Sequence, residues 1–80
     1  MAKMWFEIEE TDAATVVRLD AGVPGRGIRF ACYASTEDVL AVMRDVSRRA
    51  DKLRGRGMKA KRRREVAVEE LTQLNERAKR

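Results

Sequence analysis

Apolar and polar residues alternate with a period of two in three short runs near the start of the chain, and with the period of a helix over most of the remaining residues. In the first run Met4, Phe6 and Ile8 alternate with Trp5, Glu7 and Glu9, the pattern of a strand that buries one face. Thr11-Asp12-Ala13 then reads as a turn. The second run, Ala14 to Asp20, sets Thr15, Val17 and Leu19 against Val16, Arg18 and Asp20. The third, Ile28 to Ala34, sets Ile28, Phe30, Cys32 and Ala34 against Arg29, Ala31 and Tyr33. Between the last two, Gly22-Val23-Pro24-Gly25-Arg26-Gly27 combines glycines that accept positive φ with a proline that cannot continue a ladder. This composition predicts an exposed loop with Arg26 at its tip. Three consecutive strands with such short links are most simply an antiparallel meander.

Ser35-Thr36-Glu37-Asp38 reads as a helix start: a hydroxyl to cap free N–H groups, then two acids at the positive end of the helix dipole. Val39, Met43, Val46, Ala50 and Leu53 recur at steps of four and three, with Leu40 and Val42 widening the stripe. Gly55-Arg56-Gly57 interrupts that helix, and a second carries Ala67, Leu71, Leu74 and Ala78 on one side, supported by Val68. The expected fold is α+β: a three-stranded meander over residues 4–34, then amphipathic helices over 36–54 and 58–78, in the order β-β-β-α-α. The helices form either an antiparallel hairpin or one long bent helix reaching to another subunit. The core expected from this pattern is Met4, Phe6, Ile8, Val17, Leu19, Ile28, Phe30, Cys32, Val39, Leu40, Met43 and Val46. Leu71 and Leu74 join it if the second helix folds back.

The chain of 80 residues has room for a single small domain. Its core is correspondingly small, and a homodimer would hide more apolar surface. One cysteine allows no internal disulfide, and the absence of histidine removes the commonest acid/base and metal-binding side chain. No carboxylate pair, nucleophile with its base, or metal-ligand cluster emerges from the spacing, so no enzyme activity and no cofactor are expected. Cys32, on an inward strand position with no histidine beside it, reads as a small buried apolar residue. With no long apolar run and no secretory leader in Met1 to Glu10, the chain reads as cytosolic, with no membrane partner.

Charge changes the picture most. The formal net charge of +5 conceals an acidic sheet half, residues 1–34, and a basic helical half, residues 35–80. Cut after Met43, the two parts carry −3 (four basic, seven acidic) and +8 (fourteen basic, six acidic). Between Arg44 and Arg64, eleven of 21 residues are cationic: Arg44, Arg48, Arg49, Lys52, Arg54, Arg56, Lys59, Lys61, Arg62, Arg63 and Arg64. Arg44, Arg48, Lys52 and Arg56 are spaced by four, which aligns them on one side of a helix and makes them repel unless an anion or acid compensates. A polyanion supplies that compensation, since neutralising phosphates releases condensed counterions. Arginine outnumbers lysine eight to three in this stretch, and its planar fork suits phosphate oxygens and base edges.

Trp5, Val16, Arg18, Arg29 and Tyr33 are expected on the sheet face away from the helices, as an interface to which Leu71 and Leu74 would add if the second helix reaches another subunit. The glycine loop leads into a strand rather than a helix, so it lacks the setting of a phosphate-binding loop.

These features point to a non-enzymatic binding protein that engages nucleic acid or a nucleoprotein through an Arg-rich helical face. The competing expectation is a protein-directed inhibitor or adaptor of the kind phages and other mobile elements encode, inhibitors of CRISPR interference among them. Because the cations are expected on the surface, replacing Arg48, Arg49, Lys61, Arg62, Arg63 and Arg64 by Gln should abolish polyanion binding and leave the fold intact.

Overall fold

A computed structural model describes residues 5–22, 25, 27–54 and 60–78, with side chains for all of these except 51–54 and 60. The expected order holds: β1 (Phe6–Glu10), β2 (Thr15–Leu19), β3 (Ile28–Cys32), α1 (Thr36–Arg54) and α2 (Ala60–Ala78). The strands form one antiparallel sheet in the order β1-β2-β3. Phe6 pairs with Leu19 and Ile8 with Val17, while Val17 also pairs with Phe30 and Leu19 with Ile28. That register stacks the alternating apolar residues of all three strands on one face, and both helices pack there.

Local chemistry sets the boundaries. The Thr11 N–H donates to the Ala14 carbonyl at 2.9 Å, and its hydroxyl bonds the same residue, closing the β1–β2 turn. The Asp38 N–H donates to Ser35 Oγ at 3.2 Å, so Ser35 is the cap of α1. Thr36 instead shares a 3.1 Å hydrogen bond with Thr15, fastening the start of α1 to the start of β2. Asp20 (φ 60) and Gly22 (φ 84) take left-handed conformations just beyond β2. Aspartate tolerates that region better than most side-chain-bearing residues.

The second helix folds back on its own chain. Arg49 of α1 pairs with Glu70 of α2, while Val42 shares a groove with Leu74 and Ala78, so the helices run antiparallel. Leu71 is fully buried and Leu74 nearly so, within a core that includes Phe6, Val17, Leu19, Cys32, Val39, Met43, Val46 and Ala67. Their expected role as subunit-contact residues is thereby corrected: an α2 lying on the sheet consumes its apolar stripe within the chain. Ile8, Phe30 and Leu40 are only half-buried, and Ile28, at the sheet margin, is 38% exposed. Met4 and the tip of the glycine loop with Arg26 lie outside the described residues.

Candidate polyanion-binding face

Along the sequence the eleven cations from Arg44 to Arg64 form one expected surface; the structure divides them. Arg63 Nη2 lies 3.3 Å from Asp20 Oδ1 and Arg64 Nη1 lies 3.1 Å from Asp20 Oδ2. Asp20 is buried, at 8% exposure, so two guanidinium groups close over one carboxylate at the end of β2. The Arg63 guanidinium also sits 4.6 Å from the centroid of the Trp5 ring, and Trp5 meets Phe6 edge-to-face. Trp5 therefore packs against the core beneath α2, which corrects its expected place on the open sheet face. It precedes the regular part of β1, where strict alternation does not govern its direction.

Arg49 is similarly committed. It donates to Glu70 at 2.9 Å across the helix pair, and its Nε is 3.3 Å from Asp45, in ion-pair range without hydrogen-bond alignment. The hydrogen bond to Glu70 raises the pKa of this guanidinium and outweighs the opposing effect of burial. Arg49, Arg63 and Arg64 thus spend their charge on pairs within the chain and are not the wholly exposed cations expected, so the six-residue Gln replacement should also cost the fold stability.

Four described cations remain on the outside. Arg44 and Lys61 are exposed and make no ion pair with another described residue. Arg48, its side chain 76% exposed, approaches Asp45 only to 3.6 Å. Arg62 leans on Glu65 and Glu69 at 3.4 and 3.8 Å and is 57% exposed. Exposed pairs of this kind are worth little and open readily for a stronger anion. Lys52 and Arg54 lie in the last turn of α1, but their side chains, like the whole of Arg56 and Lys59, lie outside the described residues.

The open sheet face is neutralised from within. Arg18 pairs with Glu7 at 3.4 Å and Arg29 with Glu9 at 3.3 Å, leaving Val16 half-buried between them and Tyr33 62% exposed. Arg18 and Arg29 are therefore not unopposed cations. Cys32 is fully buried, and burial pushes its thiol pKa up to about 11. Among the described residues no group of three or more His, Cys, Asp or Glu side chains is placed to hold a metal ion. No described helix is long and apolar enough to cross a membrane.

Sequence reasoning missed Asp20 as the counter-charge for Arg63 and Arg64. Its position just before a glycine loop gave no sign of a partner more than 40 residues away. Comparison with family models, curated proteins and solved structures finds no match for this chain.

Proposed function

We propose that this is a non-enzymatic basic binding protein that engages nucleic acid, free or in a nucleoprotein, through the exposed cations of its helical half. The observation that carries the reading is what remains after the internal pairs are removed. Arg44, Arg48, Lys61 and Arg62 stay exposed on the two helices, and Arg44 and Lys61 have no carboxylate partner among the described residues. The sequence from the last turn of α1 to the start of α2 adds Lys52, Arg54, Arg56 and Lys59 against the single acid Asp51. So dense a run of cations can contact backbone phosphates without requiring base readout.

The test is binding of labelled duplex DNA, single-stranded DNA and RNA across a salt series, for the native chain and for a variant with Arg44, Arg48, Lys61 and Arg62 changed to Gln. The expected result is affinity that falls log-linearly with salt in the native chain and is weaker and less salt-dependent in the variant. Equal affinity in the two proteins removes these four residues from the mechanism, and no binding at low salt overturns the reading. In that second case a protein-directed adaptor is the better account, favoured by an apolar groove that Phe6, Ala41 and Ser47 line between β1 and α1.

A further inference from the structure

The two edges of the sheet are treated differently. The outer edge of β3 is partly sealed, because Asn75 of α2 donates from Nδ2 to the Ala31 carbonyl at 3.0 Å and accepts the Tyr33 N–H at 2.9 Å. One side-chain amide there takes the place of a neighbouring strand. It also fixes the parity of the sheet: with Ala31 and Tyr33 bonding outward, the main-chain groups of Thr15, Val17 and Leu19 bond β3, and those of Val16 and Arg18 bond β1. Glu7 and Glu9 consequently spend their groups on β2, and the N–H and C=O groups of Phe6, Ile8 and Glu10 face outward. No hydrogen bond from a described residue reaches them.

A groove opens beside this strand at Phe6. Among the described residues it is lined by Phe6 from β1 and by Ala41, Arg44, Ser47 and Arg48 from α1. Its floor is apolar and its rim carries two exposed arginines. Ser47 contributes a buried hydroxyl with no hydrogen-bond partner. Across the strand, on the opposite sheet face, Glu7 and Glu9 are held by Arg18 and Arg29 at 3.4 and 3.3 Å, in exposed pairs weak enough to open for a closer cation.

We propose that β1 accepts an added strand from an extended segment of another polypeptide, whose alternate side chains meet opposite charges on the two faces of the sheet. Residues of that segment opposite Phe6 and Ile8 lie on the helix side of the sheet, where apolar groups pack beside Phe6 and Ile8 and an acidic group at the Phe6 end meets Arg44 and Arg48. Residues opposite Glu7 and Glu9 lie on the open face, where lysine or arginine fits. Main-chain hydrogen bonds would supply affinity and the alternating charges would supply specificity. The edge left unpaired among the described residues, the groove beside it and the two charge signs all describe one strand-shaped ligand. This inference does not rest on the nucleic-acid reading, since it turns on β1 and a peptide rather than on phosphate.

The experiment uses the full chain, isotopically labelled, with the synthetic peptide Thr-Lys-Leu-Lys-Glu-Thr-Glu, blocked at both ends and laid antiparallel to β1. The control peptide exchanges its lysines and glutamates. The expected result is that the first peptide slows amide exchange at Phe6, Ile8 and Glu10 by about tenfold or more, leaving Arg29 and Ala31 unchanged, while the control does not. The double variant Arg44→Glu, Arg48→Glu should weaken binding by about tenfold or more, because each attraction becomes a like-charge contact. Equal binding of the two peptides, protection at β3 instead of β1, or no protection overturns the proposal. So does a peptide-free dimer by light scattering in which the same three amides are already protected, which would give the edge to a second copy. Nucleic-acid binding is measured separately and decides neither outcome.

Discussion

At the scale of single residues, the chain concentrates its demands on Asp20. The same residue holds a left-handed backbone (φ 60), is buried, and supplies the carboxylate between Arg63 and Arg64. Asp20→Ala should therefore lower stability by about 3 kcal/mol in urea unfolding, because it strands two part-buried cations and leaves a Cβ in a disfavoured region. Asp20→Gly removes the same charge but relieves the backbone, so it should lose about 1 kcal/mol less. Identical losses would mean that the left-handed turn carries no cost.

Cys32 adds a pH dependence at this scale. Its thiol titrates near 11 in the folded chain against an ordinary value of 9.0, the shift arising from burial. Below pH 9 the thiol is protonated in both states and its contribution is fully present. As pH rises from about 9 to 11 the unfolded chain releases the proton first, so stability falls by an amount on the order of 2 kcal/mol and then levels. The unfolding free energies of the native chain and Cys32→Ala, compared between pH 8 and 11, should converge by that amount, isolating the thiol from every group the two proteins share.

At the scale of elements, the strands and helices follow from periodicity because each has one buried face, and the Ser35 cap follows from a hydroxyl placed just before two acids. The seating of α2 does not follow from periodicity. Asn75 lies among polar residues of α2 and belongs to no repeat, yet it joins that helix to β3 through two hydrogen bonds. Asn75→Ala should cost about 1 kcal/mol, because water replaces part of both bonds at this exposed edge, and it should speed amide exchange at Tyr33. Asn75→Asp should cost more, since a carboxylate still accepts from Tyr33 but faces the Ala31 carbonyl without a proton to donate. A Tyr33 amide that exchanges at the same rate in all three proteins would show that the edge is not sealed by this side chain. Trp5 illustrates the same limit of periodicity: one residue before the regular strand, its direction is set by the Arg63 guanidinium and Phe6 rather than by the pleat.

At the scale of the whole molecule, the sequence shows how much positive charge there is but not how it is shared between folding and surface. The helical cations look alike along the chain, and only the return of α2 onto the sheet brings Arg63 and Arg64 to Asp20 and Glu70 to Arg49. The division makes two replacements of similar chemistry behave oppositely. Changing Arg63 and Arg64 to Gln should lower the unfolding midpoint, because a buried carboxylate loses both of its cations, while the exposed cations keep their charge for phosphate. Changing Arg44, Arg48, Lys61 and Arg62 to Gln should leave thermal stability nearly unchanged, since exposed pairs contribute at most about 1 kcal/mol. The same change should weaken binding and flatten its dependence on salt. If those four residues each meet one phosphate of a duplex, they account for about −3.6 of the slope of log affinity against log salt. A flatter slope in the four-residue variant with an unchanged melting curve would assign the exposed cations to ligand. An unchanged slope accompanied by a lower melting temperature would show instead that they, too, serve the fold.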